Sequence, residues 1–280
     1  MTIDSRVPWH EYLATSALNI SKLKELARAP VHYRYRLEHG RDSDAMTLGR
    51  AAHCATLEPD RYPTSYAVWT SRKNNGDMAQ RKGPHWDAFV TAHQHQTILT
   101  PEQHGLACMI AGAVRSDPTA AKYLETGEPE VTMTWEMHGR RCKGRPDWIT
   151  ILDGFPVIVG LKTCRDVRPF KVGNASANLG YHMQWAWYRD GYSILKGRTP
   201  RVVEIFVESQ PPHAVATYII GADVIEQGRD DYMKLLERLK ECEQDNDWPG
   251  PTEGEQEMSL PTWAYGEQDS DLSDLGLVGE

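Results

Sequence analysis

Several features that would assign a sequence to a class at once are missing from this chain. No apolar run is long enough to span a bilayer, so we expect no membrane partner. The first residues contain no basic stretch followed by an apolar block, so we expect no secretion signal. The 5 cysteines form no CxxC pair, which argues against a disulfide framework, a zinc ribbon and an iron–sulfur cluster. These absences favour a protein of the reducing cytoplasm.

Basic residues are also missing from residues 241–280, which hold 12 acids. The whole chain has 39 acids and 31 bases, so residues 1–240 keep 27 acids and a formal charge of +4. This mildly basic body is compatible with DNA, because phosphate binding needs only a local basic surface. We therefore expect one domain over residues 1–248 and a flexible acidic tail over residues 249–280.

Hydrophobic periodicity and turn residues predict an α/β fold with a mixed central β-sheet flanked by helices. Helices are predicted at residues 19–40 (with a break at Pro30), 47–59, 100–118, 177–195 and 222–244. Strands are predicted at residues 130–137, 140–152, 155–163, 201–209 and 213–220. We expect the first three strands to pair in succession as antiparallel neighbours, with Asp153-Gly154 as the turn of a hairpin.

The stretch VIVGLKTC alternates as a strand does and places Gly160 and Lys162 on one face. A metal-dependent nuclease uses carboxylates to hold Mg²⁺ or Mn²⁺ and a lysine to orient the attacking water. Across the predicted hairpin, Asp147 is expected to converge with Lys162. Gln184 and Tyr188 are four residues apart on a predicted helix and therefore share one face. This arrangement predicts a site for phosphodiester hydrolysis.

Four short motifs, in this order, resemble the RecE-like phage and prophage exonucleases of the PD-(D/E)XK nuclease superfamily. They read LGRAAHCATLEP, CKGRPDW, VIVGLKTCRD and GYHMQWAWYRDGY. The resemblance extends through most of residues 16–240, and four motifs in the right order are far more specific than any one of them. It implies the PD-(D/E)XK core fold.

The resemblance also implies a role for each motif residue. Metal ions would be held by His53, Glu130, Asp147, the residue at position 160 and the main-chain carbonyl of Leu161. The catalytic set would be Asp147 with Lys162, Gln184 and Tyr188. Lys162 would position the attacking water, while Gln184 and Tyr188 would guide the DNA strand or brace the site. The implied cofactor is a pair of Mg²⁺ or Mn²⁺ ions.

The activity implied by the resemblance is 5′-to-3′ exonuclease digestion of double-stranded DNA ends. It would leave a 3′ single strand for recombination by a single-strand annealing protein, in the cytoplasm of a bacterial host cell. Members of the family form rings, so a ring-shaped homo-oligomer is expected. Near the predicted site, Arg145 and Arg165 are expected to follow phosphates. Arg28, Lys22 and Lys24 are candidates for holding the 5′ phosphate.

Gly160 departs from the family pattern, which has an acid at this position. Three explanations remain open: an engineered inactive variant, a natural DNA-end-binding protein without nuclease activity, or substitution by another acid such as Asp153 or Asp166. The first is favoured, because Lys162 has little reason to lie on that face without a metal site. On this hypothesis the chain is inactive, and Gly160→Asp is expected to give metal-dependent DNA degradation.

Overall fold

The computed structural model describes residues 1–5, 7–40, 43–73, 76, 78 and 80–260. The part of the predicted acidic tail from residue 261 onwards lies outside the described residues. Within the described part, no helix is both long enough and apolar enough to cross a membrane.

The secondary structure of these residues alternates between helices and strands along the chain. The strands are β1 (Thr2–Asp4), β2 (Leu18–Asn19), β3 (Tyr66–Val68), β4 (Thr97–Leu99), β5 (Glu128–Pro129), β6 (Thr132–Met137), β7 (Arg140–Gly144), β8 (Trp148–Leu152), β9 (Phe155–Cys164), β10 (Arg201–Glu208) and β11 (Val215–Ile219). The helices are α1 (Trp9–Ala14), α2 (Ile20–Leu23), α3 (Pro30–Glu38), α4 (Asp44–Leu57), α5 (Tyr62–Ser65), α6 (Pro84–Ala92), α7 (Pro101–Ser116), α8 (Pro118–Leu124), α9 (Pro169–Asn178), α10 (Tyr181–Lys196) and α11 (Ala222–Asp245), with a 3₁₀ helix at Lys24–Ala27.

Two sheets organise the molecule. A five-stranded sheet has the order β11-β10-β9-β8-β5, in which β9 and β10 are parallel and the other pairs are antiparallel. One face of this sheet packs against α4 and α7, and the other packs against α10, which in turn packs against α11. A four-stranded sheet has the order β1-β6-β7-β2. The predicted α/β fold with a mixed sheet flanked by helices is therefore confirmed.

The predicted strand at residues 140–152 is in fact two strands, so one element of the sequence prediction is wrong. β7 pairs with β6 in the four-stranded sheet, whereas β8 pairs with β9 in the five-stranded sheet. The break falls at residues 145–147, where Pro146 has no N–H to donate to a ladder. Asp147 therefore lies where the chain crosses from one sheet to the other.

A second correction concerns the helix predicted at residues 177–195. It begins only at Tyr181, because Gly180 adopts the left-handed conformation (φ 64°) and separates α9 from α10. The hairpin turn was predicted correctly: Leu152 pairs with Phe155, and Asp153 and Gly154 both have positive φ (52° and 79°). This turn aligns β8 with β9 and so fixes Asp147 relative to Lys162.

Candidate active site

Asp147 lies at the centre of a group of polar side chains at the edge of the five-stranded sheet. Its Oδ2 accepts a hydrogen bond from the Leu161 N–H at 2.9 Å and lies 3.2 Å from Lys162 Nζ. Its Oδ1 lies 3.8 Å from His53 Nδ1, on α4. Burial alone would raise the pKa of the Asp147 carboxyl, but Lys162, His53 and the Leu161 N–H bring it below its usual range. Asp147 is therefore ionised at neutral pH.

His53 approaches Asp147 from the opposite side to Lys162. Burial lowers the pKa of the His53 imidazole, and the nearby Lys162 charge lowers it further, although Asp147 acts in the other direction. The ring is therefore neutral at physiological pH. Neutral imidazole is the form that binds a metal ion through its free nitrogen.

Glu130 reaches the same point from the segment just before β6. It has a positive φ (50°), which is uncommon for a residue with a side chain, and its N–H donates to the Asp147 carbonyl at 2.9 Å. Burial and the Asp147 charge raise the pKa of the Glu130 carboxyl to about 7, although the Arg145 guanidinium donates to Oε2 at 2.8 Å. Residues in strained conformations occur often at functional sites, where the surrounding structure holds them.

The side chains of His53, Glu130 and Asp147 together could hold a divalent cation. Each offers one ligand atom, and these atoms lie within 4.8 Å of one another. The Leu161 carbonyl is nearby, since it lies 3.2 Å from Lys162 Nζ. A donor set of carboxylates, a carbonyl and one imidazole suits Mg²⁺ or Mn²⁺ better than a soft metal, so the residues fit the expected cofactor.

Gln184 and Tyr188 lie on α10, above the sheet. Gln184 Nε2 donates a hydrogen bond to the Tyr188 hydroxyl at 2.9 Å. Both side chains line a small enclosed cavity that Asp147 and Lys162 also line. Its volume is about 10 Å³, near the lower limit for holding one water molecule. The residues picked out from the four motifs thus converge in space, while their roles remain predictions.

Glu204 is the residue of this site that sequence analysis missed. In the parallel pairing of β9 and β10, Glu204 stands directly beside Gly160. A Cβ atom at residue 160 would lie 2.2 Å from Glu204 Oε2, so glycine leaves space for this carboxylate, which would have to shift if residue 160 had a side chain. Glu204 is 1% exposed, accepts a hydrogen bond from Trp185 Nε1 at 2.5 Å, and has Oε1 3.3 Å from Lys162 Nζ.

The space beside Gly160 is therefore occupied by a carboxylate. Neither of the two acids considered as substitutes fills it. Asp153 lies in the hairpin turn, and Asp166 lies beyond the end of β9, where its carboxylate binds the Arg168 guanidinium. The neighbouring strand provides the carboxylate instead.

A signal for Glu204 was present in the sequence. It is the acid within the apolar run RVVEIFVE, where alternation puts it on the same face as Val202 and Phe206. Acids are almost never fully buried unless they are paired, so this position marks a site of some kind. Its partner depends on the register of β9 against β10, which the sequence pattern does not reveal.

Comparison with known proteins agrees with this geometry. Residues 19–259 match a family described as a PDDEXK-like domain of unknown function (DUF3799). The chain belongs to this family. It is therefore a member of the PD-(D/E)XK nuclease superfamily. No curated protein matches it in sequence.

One of three similar solved structures shows the same fold. The structure of a protein from Eubacterium rectale described as a "Putative exonuclease" has a TM-score of 0.63 and 12% sequence identity, covering 94% of this chain and 99% of that chain. The structure of SSO0001 has a TM-score of 0.29 and 14% identity, covering 77% of this chain and 84% of that chain. The structure of protein VC1899 from Vibrio cholerae has a TM-score of 0.22 and 13% identity, covering 85% of this chain and 62% of that chain. Only the first similarity is high enough to support the fold.

Arg145, predicted to bind DNA, has contacts within this PDDEXK-like domain that indicate a structural role instead. Its side chain is buried. Its guanidinium donates to Glu130 Oε2 at 2.8 Å, to the Val7 carbonyl at 2.9 Å and to Thr132 Oγ1 at 2.8 Å. A guanidinium held by three protein acceptors is not available to a phosphate.

The other basic candidates differ in exposure. Arg165 follows β9 and is exposed, and Arg28 is exposed and pairs with Glu25 at 3.2 Å. Lys22 is half-buried on α2. Lys24 lies near the site, since its Nζ and that of Lys162 are 5.7 and 5.8 Å from the centre of the Tyr181 ring.

The surroundings of Lys24 also shift the pKa of its side chain. Burial lowers the pKa of its ammonium to about 8, and the Lys162 charge contributes in the same direction. Its Nζ donates to the Leu179 carbonyl at 2.9 Å. These observations are compatible with a phosphate-binding role for Lys24, because an anion beside the ammonium would favour its charged form.

Proposed function

We propose that this PD-(D/E)XK protein is a metal-dependent exonuclease that digests one strand of double-stranded DNA from its 5′ end. The observation that carries the proposal is the contact of one carboxylate, Asp147, with both His53 and Lys162 at the edge of the sheet. The similarity in fold to an exonuclease described as putative supports the reaction class. The 5′-to-3′ polarity rests on the resemblance to RecE-like enzymes.

Different residues of the chain would have different roles in hydrolysis. His53, Glu130, Asp147 and the Leu161 carbonyl would hold the cation. A bound divalent cation would polarise the phosphate and make a water molecule more acidic. Although burial opposes its charge, Asp147 and Glu204 raise the pKa of the Lys162 ammonium above its usual range, so Lys162 acts as a donor that orients the water or the phosphate.

The experiment compares the wild-type protein with Asp147→Asn on linear duplexes labelled at the 5′ or the 3′ end. With Mn²⁺ or Mg²⁺ we expect the wild type to release the 5′ label first and EDTA to stop the reaction. Asp147→Asn removes the charge that faces His53 and Lys162, so we expect cleavage to fall by at least about 100-fold. Asp153→Asn, the same change in the turn of the same hairpin, should retain activity.

A second candidate function is non-catalytic binding of DNA ends on the same fold. It would be favoured if the wild-type protein bound duplex ends but shortened neither strand with either metal. On this proposal Gly160 does not make the protein inactive, because a carboxylate occupies the space beside that residue.

The wider role is proposed on the same resemblance. The 3′ single strand left by digestion would be the substrate of a single-strand annealing protein, and the nuclease would enclose DNA as a ring-shaped homo-oligomer. Light scattering tests the ring, because a particle of 31.7 kDa, the mass of one chain, would exclude it. Co-purification with an annealing protein encoded beside it would test the partner.

A further inference from the structure

The carboxylate of Glu204 occupies the space that a side chain at residue 160 would fill. Neighbouring strands lie roughly 4.8 Å apart, and side chains in register on one face are parallel to each other. A glutamate on β10 is long enough to lean across this gap. Its Oε1 and Oε2 lie 2.5 and 2.2 Å from where a Cβ at residue 160 would stand. Residue 160 is a glycine, so at this point β9 supplies no carboxylate and β10 supplies that of Glu204.

The surroundings of Glu204 orient its two oxygens differently. Oε2 is held by the indole N–H of Trp185, on α10. Oε1 is buried, makes no hydrogen bond with the residues that the structure describes, and lies 3.3 Å from Lys162 Nζ. Glu204 also lines the same small cavity as Asp147 and Lys162. Oε1 therefore faces Lys162 as an ion-pair partner, on the side of Glu204 that lines the site.

The charges of the cluster favour an added cation. Three acids with buried or partly buried carboxylates, Glu130, Asp147 and Glu204, surround two cations, Lys162 and Arg145. Lys162 already has Asp147 as a partner, so a second buried acid is not needed to neutralise it. A buried ion pair also contributes little net stability compared with apolar packing. A divalent cation would offset the excess of carboxylate charge.

We infer that Glu204 is the second acid of the metal site and binds the divalent cation in place of the acid missing at residue 160. This inference rests on the proposed nuclease function, which supplies the metal. It explains both unusual features together: a glycine where the superfamily pattern has an acid, and a fully buried glutamate between apolar residues of β10. The active-site acid has been transferred from one strand to its parallel neighbour.

The first test measures Mn²⁺ binding without DNA, by calorimetric titration of the wild type, Glu204→Gln and Glu208→Gln. Glu208 is the matched control, since it lies on the same face of β10 but binds the Val167 N–H instead. We expect Glu204→Gln to weaken Mn²⁺ binding by at least about 10- to 100-fold, and Glu208→Gln to change it less than about twofold. Folding of each variant is checked by thermal unfolding in EDTA.

The second test moves the acid back to β9. Glu204→Ala alone should lose Mn²⁺ binding, and the double variant Gly160→Asp/Glu204→Ala should recover it to within about tenfold of the wild type. Gly160→Asp alone should unfold at a lower temperature and bind Mn²⁺ no more tightly, because its Cβ would collide with the Glu204 carboxylate. Nuclease assays of the same proteins should follow the same order.

Three results would overturn the inference. They are an unchanged Mn²⁺ affinity in folded Glu204→Gln, a gain of Mn²⁺ binding in Gly160→Asp with Glu204 intact, and a wild type that binds no Mn²⁺. A wild type that binds Mn²⁺ through Glu204 but never cuts DNA would contradict only the proposed nuclease function. The two failures are thus distinguishable.

Discussion

Glu130 and Asp147 are carboxyl groups within a few ångströms of each other, yet their surroundings shift their pKa values in opposite directions. Lys162, His53 and the Leu161 N–H overcome the effect of burial on Asp147 and lower its pKa. Glu130 is half-buried beside the Asp147 charge, and desolvation and this charge raise its pKa to about 7. Two acids with separated pKa values are typical of catalytic sites.

The raised pKa of Glu130 predicts a pH dependence of metal binding. A metal ion binds the ionised carboxylate, which is scarce at pH 6 and predominant at pH 8. We therefore expect Mn²⁺ affinity to increase by about tenfold between these two pH values. Glu130→Gln should bind Mn²⁺ more weakly and lose most of this dependence, whereas Glu128→Gln, an exposed neighbour, should keep it.

In the metal-free protein, the raised pKa of Glu130 makes the free energy of unfolding decrease as pH rises, whereas Mn²⁺ affinity is expected to increase. The folded state holds the Glu130 proton more tightly than the unfolded state does, since the folded pKa lies above the ordinary value of 4.5. Its contribution is therefore fully present below the ordinary pKa and is lost as pH rises through about 7. Urea denaturation in EDTA at pH 5 and pH 8 checks the sign. A wild type and Glu130→Gln with the same pH profile would contradict it.

At the scale of elements, the β8–β9 hairpin decides whether Asp147 and Lys162 meet. The pairs from Trp148–Val159 to Leu152–Phe155 run without interruption up to the two-residue turn. A turn with two positive φ angles matches the right-handed twist of the strands, which is why Asp-Gly suits it. A slip of one residue would turn Lys162 to the opposite face of the sheet.

Gly154→Ala tests this element. Gly154 has φ 79°, which costs an L-residue about 1–2 kcal/mol, so the free energy of unfolding should fall by about that amount. Gly112→Ala is the matched control, because Gly112 lies in α7 with open space around it and should gain about 0.5–1 kcal/mol. Chemical denaturation of the two variants should show changes of opposite sign.

At the scale of the whole molecule, the site lies where the two sheets join. Arg145 is the link, since it connects the Val7 carbonyl and Thr132, next to the four-stranded sheet, with Glu130 of the site. Asp147 follows two residues later and starts the crossing into β8. Packing of the two sheets and placement of the metal ligands are therefore coupled through residues 145–147.

Two arginines predicted to bind DNA should consequently respond differently to replacement by alanine. Arg145→Ala removes a buried guanidinium with its three hydrogen bonds and leaves the half-buried Glu130 without its partner, so we expect a loss of about 3 kcal/mol in the free energy of unfolding. Arg165→Ala changes an exposed side chain, so stability should stay within about 0.5 kcal/mol. If Arg165 contacts phosphate, Arg165→Ala should weaken binding to duplex ends and reduce its salt dependence. Equal stability losses in the two variants would contradict this division.

Much of the molecule follows from local sequence signals. Thr100 and Gln103 form the predicted capping box of α7, and Asp153-Gly154 forms the predicted hairpin turn. Gln184 and Tyr188 meet because four residues make about one helical turn. In each case the interacting groups are a few residues apart in the chain, so a short pattern is sufficient to predict the contact.

Other features were decided only by the tertiary structure. The break at Pro146 sends β7 and β8 into different sheets, and Arg145, beside this break, is buried. The register of β9 against β10 brings Glu204 beside Gly160, although 44 residues separate them in the chain. The sequence by itself determined the elements, the order of the motifs and the absence of an acid at residue 160. Which carboxylate lies beside that glycine depends on how distant strands align, and alignment is set by packing of the whole sheet rather than by any local pattern.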